Sequence, residues 1–330
     1  MNGLPNEILV EIILYLTFTD LCQLGTVNAH MRDIHKDPRF WNKINIPNST
    51  ISRHLIQRFI DSGTQYLGLP YCSIETGTMD ISMDNNTPAL LHIDIAGCRG
   101  NNSVLSNLVA HSTNLTSLDM SESRPTMIYR ILNALPMENL LRSMDFSMVG
   151  NYDDAFNNHP LLRQHALGFD SVKMIIDKCR QLTDLILMDT QLTFQSISYI
   201  CHNATDKLLR LDLCRLRVMD DNVANLIKTC PNMTYLNLAD TWVTFAVIAR
   251  IVRGWSKTLM DLSLPLDIGL MDLRLDKDEP DPTKLQKFKT TILGLEKLEH
   301  LHIGNWRGDI ISTAFHPNAA DKTHIRTLQK

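Results

Sequence analysis

Two imidazoles stand on alternate residues at His300-Leu301-His302, and carboxylates recur one repeat apart at Asp94, Asp119 and Asp145. Paired histidines are raw material for a metal site, and stacked carboxylates focus a negative field that suits a basic ligand. Neither set is complete as chemistry. No cysteine or carboxylate accompanies the histidines at metal-ligand spacing, so they read as an exposed strand pair. Seven cysteines include no Cys-x-x-Cys pair and suit reduced intracellular thiols rather than a disulfide frame. Cys179 and Cys230 fall at matching places before Arg-Gln-Leu and Pro-Asn-Met, and read as small buried spacers. The chain has no P-loop, G-x-G-x-x-G, H-E-x-x-H or G-x-S-x-G motif. An intrinsic enzyme is therefore not expected, nor is a metal or cofactor.

The elements that position these groups repeat. An L-x-x-L-x-L pattern places Leu90/Ile93/Ile95, Leu115/Leu118/Met120, Leu141/Met144/Phe146 and Leu182/Leu185/Leu187. It continues through Leu208/Leu211/Leu213, Met233/Leu236/Leu238, Leu259/Leu262/Leu264 and Leu298/Leu301/Ile303. Successive units start 25, 26, 41, 26, 25, 26 and 39 residues apart, the leucine-rich-repeat spacing apart from two long steps. A fainter unit, Thr64/Leu67/Leu69 with Cys72, opens the array. Residues two apart on a short strand share a face, so the paired apolar residues point inward. Amphipathic stretches between them, such as Val223-x-x-Leu226 and Val247-Ile248-x-x-Ile251, read as helices. One strand–helix unit buries no core alone, whereas stacked units share one. The expected fold is an α/β solenoid, a curved horseshoe with parallel strands on the concave face and helices on the convex face.

Outward strand positions then form columns. One holds Asp94, Asp119, Asp145, Ile186, Asp212, Asn237, Ser263 and His302, and the other includes Asp184, Arg210, Tyr235, Asp261 and His300. Two readings stand: a site for a basic segment of a target protein, or solvated aspartates that the pattern merely tolerates. After each strand, Cys98, Ser123, Thr190, Thr241 and Asp267 suit a bond to the turn backbone, whereas Val149, Leu216 and Trp306 do not. The two long steps place insertions at 150–166 and 266–282, both between a strand and a helix and so on one rim. The first is either a docking loop, with Tyr152 and Phe156 as its apolar surface, or a tolerated insertion with no role. The second is charged and proline-bearing, and reads as a surface loop. Trp242, Trp255 and Trp306 lie near unit junctions and read as core or cap. The pattern stops at Trp306, leaving 307–330 as a cap or a tail folded back over the concave wall.

Ahead of the repeats lies a segment too apolar to satisfy itself. From Ile8 to Leu16 every residue except Glu11 is apolar, behind a Pro5 suited to a first helical position. A short helix apolar all round finds partners on one side only, and the remaining surface calls for another protein.

Leu4-Pro5-x-Glu7-Ile8-Leu9, then Ile12, Leu16, Asp20-Leu21, Val27 and Asp37-Pro38-Arg39-Phe40-Trp41, resemble an F-box in order and spacing. Asn28-Ala29-His30 departs from it, since the family commonly has Cys and a basic or aromatic residue there. F-box and repeats together resemble the leucine-rich-repeat class of F-box proteins. That resemblance implies a helical F-box module (residues 1–47), then repeats (48–306). It implies a non-catalytic substrate receptor of an SCF-type ubiquitin ligase, docked on the Skp adaptor and through it on cullin and a RING subunit. The adaptor-facing residues would be Leu4, Pro5, Glu7, Ile8, Leu9, Ile12, Leu16 and Val27. Leu21, Val27 and Trp41 fit the module's own core as well as its interface. The target would meet Asp94, Asp119, Asp145, Asp184, Asp212, Tyr235, Asn237 and Asp261. A scaffold with no part in ubiquitin transfer is the alternative.

Bulk properties fit. At 330 residues the chain exceeds a usual single core, and 44% hydrophobic content suits a globular protein. A net charge of −4 gives no reason to expect nucleic acid or an acidic membrane. No basic n-region precedes the apolar start, and no apolar run is long enough to span a bilayer. Cytoplasm, nucleus or both are expected. Asn-x-Ser/Thr triplets at Asn48, Asn85, Asn101, Asn114, Asn203 and Asn232 are then chance matches.

Overall fold

The computed structural model describes residues 4–75, 88–100, 102–149, 167–265, 282–303 and 327–329. The chain divides into two compact bodies, Met1–Ser123 with Met127–Leu141, and Arg124–Thr126 with Arg142–Lys330.

The first body opens with three helices, α1 (Asn6–Ile13), α2 (Phe18–Val27) and α3 (Ala29–Ile34), and a 3-10 turn, Pro38–Phe40. Their ends are set by side chains. Thr17 Oγ1 accepts from the Asp20 amide to start α2, and Asn28 Oδ1 accepts from the Met31 amide at 2.8 Å to start α3. The departure at Asn28 thus has a local cause, because a cysteine there would cap poorly. Leu9, Val10, Ile13, Leu21, Met31, Ile34 and Phe40 form the module's core, with Leu24 and Trp41 packed against it. Trp41 donates its indole N–H to the His35 carbonyl at 2.9 Å, and its own carbonyl accepts from Thr64 Oγ1.

Next come β1 (Lys43–Asn45), β2 (Thr50–Ile51), α4 (Arg53–Asp61), β3 (Tyr66–Gly68) and β4 (Ser73–Ile74). After them stand β5 (His92–Asp94), β6 (Arg99–Gly100), α5 (Asn102–His111), β7 (Ser117–Asp119) and α6 (Pro125–Ala134). β1, β3, β5 and β7 pair in parallel in that order, with Ile44, Leu67, Ile93 and Leu118 in one row. β2, β4 and β6 make a second small parallel sheet. Trp41/Ile44/Ile46 therefore forms a repeat unit of its own, and the ladder begins at Lys43, inside the segment expected to be helical module. The F-box-like motif and this unit share Trp41, which hid the unit in the sequence.

The second body is built from the same kind of repeat, with β8 (Ser143–Asp145), α7 (Phe169–Lys178), β9 (Asp184–Ile186), α8 (Phe194–Asn203) and β10 (Arg210–Asp212). Its remaining elements are α9 (Asp220–Thr229), β11 (Tyr235–Asn237), α10 (Phe245–Trp255), β12 (Asp261–Leu264), α11 (Pro282–Ile292), β13 (His300–Ile303) and β14 (Thr327–Gln329). β8 to β14 pair in parallel in chain order. The last described stretch of the C-terminal segment thus adds a strand beside β13.

All twenty-four residues of the eight L-x-x-L-x-L units are 4% exposed or less, as the pattern requires. Val104, Leu105, Ile197, Ile200, Val223, Leu226, Val247, Ile248 and Ile251 supply the buried helix faces. Cys179 and Cys230 are buried C-caps of α7 and α9, and the buried Trp255 donates its indole N–H to the Cys230 carbonyl at 2.8 Å. Trp242 departs from the expectation of core or cap: it is 56% exposed. No helix among the described residues is long and apolar enough to cross a membrane.

Candidate functional site

On the helical module the side chains sort into two faces. Leu9, Val10 and Ile13 point into the core, while Ile8 (47% exposed) and Ile12 (52%) lie one turn apart on the opposite side. Leu4 extends this row backward and Leu14, Tyr15 and Leu16 extend it forward, all exposed, Tyr15 at 89%. Glu7 and Glu11 flank the row in solvent, and Val27 stands exposed at the end of α2. Pro5 precedes the first helical residue rather than occupying it, and its carbonyl accepts from the Ile8 and Leu9 amides. Of the residues expected to face an adaptor, Leu9 is corrected: at 4% exposure it is core, and its side chain is not available as an anchor. Tyr15 and Leu14 were missed because a helical period alone does not say where the helix ends. α1 stops at Ile13, and the residues after it turn outward. Leu21 resolves to core and Trp41 to half-buried support.

The Asp37-Pro38-Arg39-Phe40-Trp41 run is explained by structure. Asp37 caps the 3-10 turn through the Arg39 amide, and the Arg39 guanidinium returns to the same carboxylate at 2.7–3.2 Å. That pairing holds the Asp37 carboxyl below its usual range. Phe40 enters the core.

On the strands the columns stand where the spacing places them. His92 and Ser117 are in one row and Asp94 and Asp119 in another. In the second body Asp184, Arg210, Tyr235, Asp261 and His300 share a row, as do Ile186, Asp212, Asn237, Ser263 and His302.

The aspartates hold the backbone. Asp94 Oδ1 accepts from the Ala96 amide, Asp119 from Ser121, Asp145 from Ser147 and Asp212 from Cys214, at 2.8–3.0 Å, and Asn237 does the same for Ala239. Three residues past each strand-end position the chain turns left-handed, at Asn48, Tyr71, Gly97, Glu122, Met148, Asp189, Arg215 and Asp240. Asx turns of this kind favour Asp and Asn, which gives the column a structural cause independent of its charge. The next position behaves as expected: Cys98 donates to the Leu69 carbonyl, Ser123 to Ile95, Thr190 to Phe146 and Thr241 to Leu238. Val149 and Leu216 are simply buried.

The column in the second body is internally paired. Arg210 meets Asp184 at 3.1 Å and lies over the Tyr235 ring at 4.3 Å. Tyr235 Oη and Asn237 Nδ2 both donate to Asp212 Oδ2, and burial with this carboxylate pushes the Tyr235 hydroxyl up to about 12. His300 Nε2 lies 3.9 Å from Asp261 Oδ1. In the first body, burial raises the Asp94 carboxyl, and Asp119 in the next strand adds to the effect. Among the described residues no group of three or more His, Cys, Asp or Glu is placed to hold a metal ion. Tyr152, Phe156, Asp267 and Trp306 lie outside the described residues. The strands and helices flanking both insertions are described: β8 and α7 bracket the first, β12 and α11 the second.

Residues 1–47 match the F-box-like family model. No curated protein matches the chain. Among solved structures, the leucine-rich repeat-containing protein LegL7 from Legionella pneumophila is 14% identical, with a TM-score of 0.42 over 79% of this chain and 81% of that one. A TLR13–ssRNA13 complex is 17% identical, with a TM-score of 0.45 over 77% of this chain and 35% of that one. The repeat architecture rests on the strands and their register rather than on these distant likenesses. The chain joins an F-box-like segment to leucine-rich repeats.

Proposed function

We propose that this protein is the substrate-recognition subunit of an SCF-type ubiquitin ligase, docking on the Skp adaptor through its F-box-like segment and holding a target on its repeats. One observation carries the reading: Leu4, Ile8, Ile12, Tyr15 and Leu16 form an apolar row beside a core that is already complete without them. Fully burying an exposed large apolar side chain contributes about 1.5–3 kcal/mol, and apart from Tyr15 these are half-buried already, so each would add about half of that in a partner's groove. The chain itself would supply no reacting group. It would raise the target's effective concentration near the ubiquitin thioester and orient it.

The second reading, a repeat scaffold without ubiquitin transfer, shares the repeats and parts from the first only after adaptor docking. Co-purification separates them. The ligase reading expects adaptor and cullin together with the wild type, and neither with Ile12→Glu. Adaptor without cullin supports the scaffold. Undiminished recovery by a folded Ile12→Glu variant removes the α1 row from the interface.

A further inference from the structure

Between α2 and α4 of the first body lies a cleft of about 430 Å3 that neither the exposed α1 row nor the strand columns use. Its wall is aromatic. Phe18 meets Trp41 edge-on with centroids 6.4 Å apart and Phe59 at 5.8 Å, and Trp41 meets His35 at 4.8 Å. Leu55 and the Cys22 thiol complete the apolar lining.

One cation at this wall is uncommitted. Lys36 is held by Asp33 at 2.9 Å, and Asp61 accepts from Gln57, but Arg58 has no carboxylate at ion-pair distance among the described residues. Partial desolvation at the cleft raises the Cys22 thiol and lowers the His35 imidazole, and the Arg58 charge reaches both, pulling each pKa down. His35, which also lines the cleft, has its Nε2 buried without a hydrogen-bond partner among the described residues. A buried unpartnered nitrogen in the wall of the cleft is costly.

We propose that this cleft binds a small aromatic organic anion, its flat body against Phe18, Trp41 and Phe59 and its acidic head on Arg58. A cleft of this size, lined by apolar and polar side chains in near-equal share, suits a ligand with a flat apolar body and a charged head. A planar guanidinium suits a carboxylate or sulfonate better than a point charge does.

The probe is 1-anilinonaphthalene-8-sulfonate, titrated by fluorescence into the full chain and into Arg58→Gln and Ile12→Glu variants. A second readout is local: the rate at which iodoacetamide alkylates Cys22, with and without the probe. Binding at the cleft predicts that Arg58→Gln weakens the probe about tenfold while Ile12→Glu leaves it unchanged. It also predicts that bound probe slows Cys22 alkylation several-fold in the wild type. Equal affinity for Arg58→Gln, loss of binding confined to Ile12→Glu, or an unprotected Cys22 would each overturn the proposal.

Discussion

Asp212 Oδ1 accepts the backbone N–H of Cys214 at 2.9 Å, closing the turn after its strand. Its second oxygen is also engaged, by Asn237 Nδ2 at 2.9 Å and Tyr235 Oη at 3.3 Å. A residue that the strand pattern places to greet a ligand is thus held by the scaffold, and it is the one buried aspartate of the column among the described residues.

Replacing it tests that assignment. Asp212→Ala strands the Cys214 amide and the Asn237 amide group, and is expected to destabilise the repeats by about 1–3 kcal/mol. Asp212→Asn keeps the turn bond but turns a donor toward Asn237 Nδ2, whose own oxygen is taken by Ala239, so it recovers only part. Urea unfolding of the three proteins checks the order. An Asp212→Ala variant as stable as the wild type would return the aspartate to the surface role.

The helical module offers a paired comparison. Leu9 is in the core and Ile12, three residues on, is outside it. Leu9→Ala is expected to cost about 2–5 kcal/mol through lost burial and the cavity left behind. Ile12→Ala is expected to stay within about 0.5 kcal/mol, as surface changes do. Equal losses in thermal melts would mean that α1 is rotated from the orientation described.

The left-handed column makes a third test. Gly97 has φ +59, and a methyl group built there would lie 2.5 Å from the Tyr71 ring, which crosses it to reach Glu122 Oε1. Gly97→Ala therefore meets both a left-handed cost of roughly 1–2 kcal/mol and a steric one. Tyr71→Ala removes only the second. The double variant is expected to recover part of the Gly97→Ala loss in thermal melts, and a strictly additive result would deny the contact.

Period and register were legible because burial enforces them. A two-residue alternation admits only one inward set, so positions such as Ile93, Leu118 or Leu236 are assigned to the core without tertiary information. What the outward residues do was not legible. Asp184 and Asp261 look alike in sequence, yet one pairs with Arg210 from the next strand at 3.1 Å and the other lies 3.9 Å from His300. That difference depends on which neighbour the register supplies. The start of the ladder was hidden for another reason, since Trp41 serves the helical module and the first unit at once.

Thiol reactivity follows burial. Cys22 is exposed, whereas Cys72, Cys98, Cys179, Cys201, Cys214 and Cys230 are buried. Burial pushes Cys98 to about 12 and Cys214 to about 11, so neither offers thiolate at neutral pH. Native protein treated with 5,5′-dithiobis(2-nitrobenzoate) should release about one equivalent promptly, mapped to Cys22, and the rest only in denaturant. Prompt release from Cys98 or Cys201 would show those units opening.

His35 ties stability to pH. Burial, reinforced by the Arg58 charge, lowers its pKa below the ordinary value of 6.5. The unfolded chain takes up a proton near that ordinary value while the folded one resists, so the unfolded state binds more protons in the interval between the two. The sign is then fixed: the contribution is intact above the unfolded value and is lost as pH falls through it toward the depressed one. Asp37, whose carboxyl is lowered by Arg39, adds its loss only further down, as pH falls below the ordinary carboxylate value of 3.8. His35→Phe keeps a ring against Trp41 and removes both the titration and the unpartnered nitrogen. Melting temperatures at pH 7.5 and 5.5 are expected to drop more for the wild type than for His35→Phe. Parallel drops in the two proteins would place the acid sensitivity at another residue.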